Sequence, residues 1–256
     1  MGVIFHIPHS STSIPEEYLN DFVLSAANLT EEIRLMTDWH TSDLFAPAVS
    51  ALGKSVEFPV SRLLVDPERF PDDSQEMMSK VGMGVLYQKT SHENALRIAG
   101  AHTGLRRTEL LERFYHPHHQ ALTRETEEEL SRSGSVLIID CHSFPSVALP
   151  YELSQHSERP SICIGTDEYH TDSRFSDYVC RQFESKGYSV AVNTPFAGAL
   201  VPHKFYQANG FVRSIMIEVN RSLYMDEATT EKNSQFNKVS SDIREVLVAS
   251  LSRETS

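Results

Sequence analysis

Val136-Leu-Ile-Ile-Asp-Cys-His-Ser143 is the stretch that decides the fold of this chain. Its four apolar residues predict a strand buried on both faces, which is typical of parallel sheets that are covered by helices on both sides. Asp140 and His142 follow at the end of this strand. In α/β proteins the carboxyl ends of strands are where functional sites assemble. The stretch therefore predicts an α/β fold with a site at this strand end.

Two other predicted strands bring polar residues to their carboxyl ends. The apolar stretch over residues 2–7 is followed by His9, and the one over residues 211–219 carries Glu218 near its end. Further strands are predicted over residues 54–60, 161–165 and 188–193. Helical patterns lie over residues 37–52, 105–132 and 175–183, and a surface helix is expected after a loop that begins near residue 226. Residues 66–104 are predicted to form long loops over the site.

The alternation of strands and helices predicts a three-layer α/β/α sandwich around a mixed, mostly parallel sheet. No repeat or linker divides the chain, so one domain is expected over residues 1–256. Pro47 is expected to kink or shorten the helix that contains it. Cys141 and Cys163 are expected to pack in the core.

The composition excludes several classes of partner. The chain has 35 acidic and 23 basic residues and a net charge of −12, which argues against nucleic acids and anionic membranes. No apolar run is long enough for a membrane helix, and no signal peptide is predicted. The three cysteines are scattered, which favours a reducing compartment and a cytoplasmic protein.

Histidines and carboxylates at three strand ends indicate a mononuclear metal hydrolase. His9 and His142 are the candidate ligands, with a structural role as the alternative for each. Asp140 lies two residues before His142, so both side chains share one face of the strand and the carboxylate can orient the imidazole. His6 lies inside its strand and is interpreted as structural, facing away from His9.

Glu218 is a candidate general base because it interrupts an otherwise apolar strand. A carboxylate in that setting needs a partner or a function, and a carboxylate beside a metal activates water well. The alternative is a buried ion pair with Arg213 or Arg221.

Two arginines and a group of three histidines are the remaining candidates for the functional site that the residues alone suggest. Arg62 and Arg69 suggest an anionic substrate, because arginine binds carboxylates in a two-pronged geometry, although either can equally stabilise a loop. His116-Pro-His-His119 is not read as a second metal site, because no carboxylate is spaced to complete it. His119 is expected to line the pocket or to have a packing role.

The chain resembles the N-formylglutamate amidohydrolase family. The resemblance is carried by segments spread over residues 3 to 227, and no single segment decides it. They are Pro8-His9, Thr37-Asp38-Trp39-His40, Val65-Asp66…Arg69-Phe70-Pro71, Tyr115…Pro117…His119, Asp140-Cys141-His142-Ser143, Asn193…Phe196…Gly198, Glu218 and Leu223-Tyr224-Met225-Asp226-Glu227. That family is similar in turn to zinc carboxypeptidases and aspartoacylase, which implies a zinc-exopeptidase-like fold.

The resemblance implies one Zn²⁺ ion and hydrolysis of N-formyl-L-glutamate to formate and glutamate. It assigns the metal to His9, Asp38 and His142, with Asp43 and His40 as alternatives to Asp38, and the general base to Glu218. The substrate carboxylate is assigned to Arg62, Arg69 and His203, and Asp140 orients His142.

One departure from the family bears on specificity. The family pattern Asp-x-Asn-Arg reads Asp66-Pro-Glu-Arg69 here, so Glu68 replaces an amide and repels an anionic substrate if it points inward. Two alternative functions therefore remain. One is an amidase or peptidase for another N-acyl amino acid or small peptide, and the other is an inactive binding protein on the same fold.

Overall fold

The computed structural model describes residues 1–254, and within them a six-stranded sheet carries helices on both faces. The strands are β1 (Gly2–Ile7), β2 (Lys54–Glu57), β3 (Val136–Phe144), β4 (Ile162–Gly165), β5 (Val190–Val192) and β6 (Val212–Asn220). Their order is β2-β1-β3-β6-β4-β5, and only β4 and β6 pair in antiparallel fashion within the sheet. The predicted mixed, mostly parallel α/β sandwich is confirmed.

The helices are α1 (Ala26–Met36), α2 (Thr41–Leu52), α3 (Gly104–Leu110), α4 (His116–Ser133), α5 (Ser173–Ser185) and α6 (Phe236–Glu254). Helices α2, α5 and α6 pack on one face of the sheet, and α4 packs on the other. Pro47 lies inside α2, which still continues to Leu52. Among residues 1–254, no helix has the length and apolar character needed to cross a membrane.

Helix α6 follows the loop that begins near residue 226, as predicted, and one of its sides belongs to the core. Val239, Ile243 and Leu247 are at most 3% exposed and pack with α2 and α5. Their spacing of four residues places them on one side of the helix, which explains why this side belongs to the core.

Strand alternation decides which side chains reach the site. Val3, Phe5, Ile7 and Cys141 pack on the face that α2 and α6 cover, which confirms the core assignment of Cys141. Even-numbered residues of β1, β3 and β6 therefore point to the α4 side. In the sheet register His142 lies beside Glu218, and His6 lies beside Asp140. The expectation that His6 faces away from the site was therefore wrong.

Candidate active site

A cavity of about 1070 Å³ opens at the carboxyl ends of β1, β3 and β6. Parts of α4 and of the loops after β2, β3 and β5 form its walls. Of the stretch over residues 66–104, which was predicted to cover the site, residues between Pro67 and Met78 line the cavity. All of the predicted site residues line this cavity. They are His9, Asp38, Arg62, Arg69, Asp140, His142, His203 and Glu218.

His9 and His142 lie side by side, with their ring centroids 5.1 Å apart. The Nδ1 atoms of both rings approach one carboxylate. Asp38 Oδ2 lies 3.0 Å from His142 Nδ1 and 3.6 Å from His9 Nδ1. Asp38 takes this place because it follows α1 directly, and its backbone N–H donates to the His9 carbonyl at 3.0 Å.

The Nε2 atoms of the two rings face other carboxylates. His9 Nε2 lies 2.9 Å from Asp66 Oδ1. His142 Nε2 lies 3.2 Å from Asp140 Oδ1 and 3.1 Å from Glu68 Oε1. A carboxylate on the second nitrogen is the usual partner of a metal-binding histidine. Asp66 was missed as the partner of His9, although it stands in the segment that also contains Arg69.

Two histidines of the segment His116-Pro-His-His119 make different contacts, and His118 contacts His6 of β1. His6 Nδ1 donates to Asp140 Oδ1 at 2.8 Å, and the Nε2 atoms of His6 and His118 lie 2.9 Å apart. His119 Nε2 donates to the carbonyl of Pro67 at 2.7 Å. Burial lowers the pKa of His118 to about 2 and that of His119 to about 4, so both rings are neutral at physiological pH. These rings hold Asp140 and the loop that carries Glu68.

Three arginines surround the carboxylates. Arg62 Nη2 donates to Asp66 Oδ2 at 3.1 Å, and Arg69 Nε donates to the carbonyl of Met83 at 3.2 Å. Arg221 Nη2 donates to Asp38 Oδ1 at 3.1 Å, so this arginine, considered above as a partner of Glu218, binds Asp38.

Glu218 is 6% exposed, and among residues 1–254 its Oε2 atom has no hydrogen-bond partner. Burial raises the pKa of Glu218 to about 8, while His142 opposes this shift and the charges of Asp38 and Glu68 add to it. Burial also acts to raise the pKa of Asp38, but the hydrogen bond with His142 and the nearby His9 ring hold it below its ordinary value. The site thus contains one carboxylate stabilised in the charged form and another that readily accepts a proton.

The remaining candidates lie farther from the histidine pair. Asp43 is exposed and pairs with Lys232 at 2.6 Å, and His40 Nε2 donates to the carbonyl of Thr230 at 2.7 Å. His203 is exposed and lines the cavity. Of the three candidates for the third ligand, Asp38, Asp43 and His40, the structure brings only Asp38 to the two histidines.

The side chains present fit a divalent cation. His9 Nδ1 is buried and, within residues 1–254, has no hydrogen-bond partner. Two clusters have ligand atoms within 4.8 Å of one another, namely His9–Glu68–His142 and His6–Glu68–Asp140. Four carboxylates, those of Asp38, Asp66, Glu68 and Asp140, face three guanidinium groups here, and burial raises the pKa of the fifth carboxyl, Glu218, to about 8. When His9 and His142 are neutral, as metal ligation requires, a cation would offset the remaining negative charge.

Comparison with known proteins places the chain in a family. A sequence model of N-formylglutamate amidohydrolase matches residues 1–225. The chain belongs to the N-formylglutamate amidohydrolase family. It is 26% identical over 233 residues to an N-formylglutamate deformylase of Pseudomonas putida, covering 89% of this chain and 83% of that protein. It is 27% identical over 209 residues to the deformylase of Pseudomonas aeruginosa PAO1, covering 78% and 76%.

Two solved structures share the fold. The crystal structure of N-formylglutamate amidohydrolase from Ralstonia eutropha JMP134 superposes with a TM-score of 0.83 at 23% identity, over 100% of this chain and 95% of that one. A gene product of Agrobacterium tumefaciens gives a TM-score of 0.74 at 20% identity, over 99% and 92%. The resemblance found in the sequence is thus confirmed at the level of family and fold.

Proposed function

We propose that this protein is a zinc-dependent amidohydrolase that converts N-formyl-L-glutamate to formate and glutamate. The observation that carries the proposal is the buried carboxylate of Glu218 in the cavity beside His142, whose Oε2 atom has no hydrogen-bond partner among residues 1–254. The family supports the substrate, because both curated relatives are N-formylglutamate deformylases.

His9, Asp38 and His142 are the proposed metal ligands. The Nε2 atoms of the two histidines already face Asp66 and Asp140, which leaves their Nδ1 atoms turned toward Asp38. Two histidines and a carboxylate with an open fourth position are a donor set typical of catalytic zinc. When bound there, the ion polarises the scissile carbonyl and lowers the pKa of water.

Glu218 is the proposed general base. Its carboxylate takes a proton from the attacking water while the new C–O bond forms, and it then gives this proton to the nitrogen of the leaving glutamate, after which the C–N bond breaks. Burial raises the pKa of the Glu218 carboxyl to about 8, and a cation bound beside it would favour the charged form that accepts the proton from water. Arg62 and Arg69 hold a substrate carboxylate, and His203 lies at the cavity wall as a further contact.

The test is formate release from N-formyl-L-glutamate by zinc-loaded protein. Glu218→Gln should lower kcat at least about 100-fold, the usual contribution of a general base, while zinc content is unchanged. Glu184→Gln, an exposed change on α5, is the matched control and should keep full activity. Zinc-loaded protein that releases no formate would contradict the proposal.

A second candidate is an amidase for another N-acyl amino acid. Glu68 favours it, because its carboxylate lines the cavity, with Oε1 3.1 Å from His142 Nε2 and Oε2 3.6 Å from His9 Nε2. A negative charge there opposes binding of an anionic group. If the first function holds, Glu68→Asn should lower KM for N-formyl-L-glutamate. A panel of N-formyl and N-acetyl amino acids and dipeptides separates the two candidates.

A further inference from the structure

Tyr151 lies in the loop after β3, and its side chain lines the cavity. Its ring packs against an apolar cluster that includes Leu149. The backbone N–H of Tyr151 donates to the carbonyl of Ser91 at 3.3 Å. The next residue, Glu152, is buried and pairs with Arg159 at 2.7 Å. These contacts on both sides of the residue fix the position of the Tyr151 ring at the cavity wall.

The hydroxyl of Tyr151 has no hydrogen-bond partner among residues 1–254. Two other tyrosines next to the arginines of the site are already engaged. The hydroxyl of Tyr87 accepts a hydrogen bond from Arg62 Nε at 3.0 Å. The hydroxyl of Tyr115 donates to the carbonyl of Arg69 at 2.9 Å. Tyr151 thus brings to the cavity a hydroxyl group that the described part of the chain does not use.

Arg62 and Arg69 also have donor groups that the protein leaves unused. Arg62 Nη1 lies 3.8 Å from Asp38 Oδ1, which is longer than a hydrogen bond. Within the part of the chain that the structure describes, the Arg69 side chain donates only through Nε, to the carbonyl of Met83 at 3.2 Å. Both arginines line the same cavity as Tyr151. Their remaining N–H groups can therefore bind a ligand.

The positive charges of the arginines reach the phenol of Tyr151. Burial raises the pKa of Tyr151 to about 12. The charges of Arg62, Arg69 and Arg221 act to lower this pKa. The phenol keeps its proton at physiological pH and is therefore a hydrogen-bond donor. Because the three nitrogens of Arg221 all donate within the protein, the unused N–H groups near the phenol belong to Arg62 and Arg69.

We propose that Tyr151 is a substrate-binding residue whose hydroxyl donates to the same substrate carboxylate that Arg62 and Arg69 hold. The inference deepens the proposed function and rests on it. A carboxylate fits these donors because its two oxygens offer about four acceptor positions, enough for two guanidinium groups and a hydroxyl. The guanidinium groups select for negative charge, and the hydroxyl adds one further charge-assisted hydrogen bond.

Tyr151→Phe removes the hydroxyl and keeps the ring that packs in the cluster. With zinc-loaded protein, KM for N-formyl-L-glutamate should rise at least about tenfold, the usual loss for a hydrogen bond to a charged group. The value of kcat and the zinc content should stay unchanged, because the lost bond holds the substrate equally before and during the reaction. Tyr169→Phe is the matched control and should leave KM unchanged, because Tyr169 is 49% exposed and lies outside the cavity lining. Thermal unfolding verifies that both variants fold.

Two substrate analogues identify the carboxylate that the hydroxyl contacts. N-formyl-L-norvaline lacks the side-chain carboxylate of N-formyl-L-glutamate, and N-formyl-4-aminobutyrate lacks its α-carboxylate. The loss of kcat/KM in Tyr151→Phe should disappear with at least one analogue, because the hydroxyl cannot lose a bond to a group that is absent. An equal loss with all three substrates would overturn the proposal.

Binding measurements separate this inference from the proposed function. In a Glu218→Gln background, which turns over slowly, adding Tyr151→Phe should weaken binding of N-formyl-L-glutamate at least about tenfold in equilibrium dialysis. Weaker binding without formate release by the parent protein overturns the proposed hydrolysis and supports the role of Tyr151. Formate release with unchanged KM and affinity overturns the role of Tyr151 and leaves the hydrolysis standing. A fall in kcat at unchanged KM assigns the hydroxyl to the reacting carbonyl and overturns this inference as well.

Discussion

Each histidine of the site has two ring nitrogens, and different carboxylates face them. Asp38 faces the Nδ1 atoms of His9 and His142, while Glu68 lies 3.1 Å from His142 Nε2 and 3.6 Å from His9 Nε2. The ligand atoms of His9, His142 and Glu68 lie within 4.8 Å of one another, whereas Asp38 approaches the Nδ1 atoms of the same two histidines at 3.6 Å and 3.0 Å. The Nε2 atoms already have Asp66 and Asp140 as partners, and for this reason we assign the metal to the Nδ1 side.

Exchange of each carboxylate for its amide distinguishes the two assignments. Asp38→Asn should lower the affinity for zinc at least about 100-fold, because a ligand loss costs more than the 10–100-fold of an orienting residue. Glu68→Gln is the matched control and should change the affinity less than about tenfold. Zinc affinity is measured by competition with a chelator, and thermal unfolding verifies that both variants fold. The reverse order of affinities would place the metal at Glu68.

At the scale of elements, side chains alternate between the two faces of β3 and β6, and this alternation brings the reactive groups together. Asp140, His142 and Glu218 share one face of the sheet, and Cys141 between them belongs to the core on the other face. This relation follows from the sequence, since alternation is a property of every strand. The burial of α6 does not follow from its composition, because α2 and α5, which are distant in sequence, provide its partner surface.

One ion-pair cluster ties α6 to the end of α5. Asp242 accepts hydrogen bonds from Lys186 at 3.0 Å, Tyr188 at 2.7 Å and Lys238 at 2.7 Å. Burial acts to raise the pKa of Asp242, but the bonds from Lys238, Tyr188 and Lys186 hold it below its ordinary value. A lowered pKa stabilises the fold above the unfolded-state pKa of about 3.9, and this contribution is lost as the pH falls through the folded-state pKa.

Asp242→Asn should therefore lower the free energy of unfolding by about 1 kcal/mol at pH 7. The difference from the parent protein should shrink as the pH falls below about 4. Urea unfolding at several pH values measures both quantities. Asp177→Asn, an exposed change on α5, serves as the control. A difference that stays constant between neutral and acid pH would show that the charge of Asp242 does not contribute.

At the scale of the whole molecule, the site is a place where several carboxylates are buried close together. When His9 and His142 are neutral, as metal ligation requires, the four carboxylates of Asp38, Asp66, Glu68 and Asp140 outnumber the three guanidinium groups, and the chain as a whole carries −12. Burial of like charges is unfavourable unless a counterion compensates them. Metal binding is therefore expected to stabilise the fold as well as to serve catalysis.

Zinc should raise the melting temperature of chelator-treated protein. At a free concentration of 100 times Kd the gain is about 2.7 kcal/mol, which corresponds to a shift of roughly 5–10 °C for a chain of this size. Differential scanning calorimetry measures the shift, and the Asp38→Asn variant should lose most of it. A melting temperature that is the same with and without zinc would contradict the stabilising role.

The sequence by itself determined the strands, the mixed α/β sandwich, the family and eight of the residues that line the cavity. The spacing of apolar residues and the position of polar residues at strand ends are local features of the sequence. The clearest case is the pair Asp140 and His142 at the end of β3. Only the tertiary structure decided which nitrogen of each histidine faces which carboxylate, that His6 turns toward Asp140, and that Arg221 binds Asp38. These contacts join residues far apart in the chain, and their geometry depends on how the loops pack over the sheet, which no local pattern encodes.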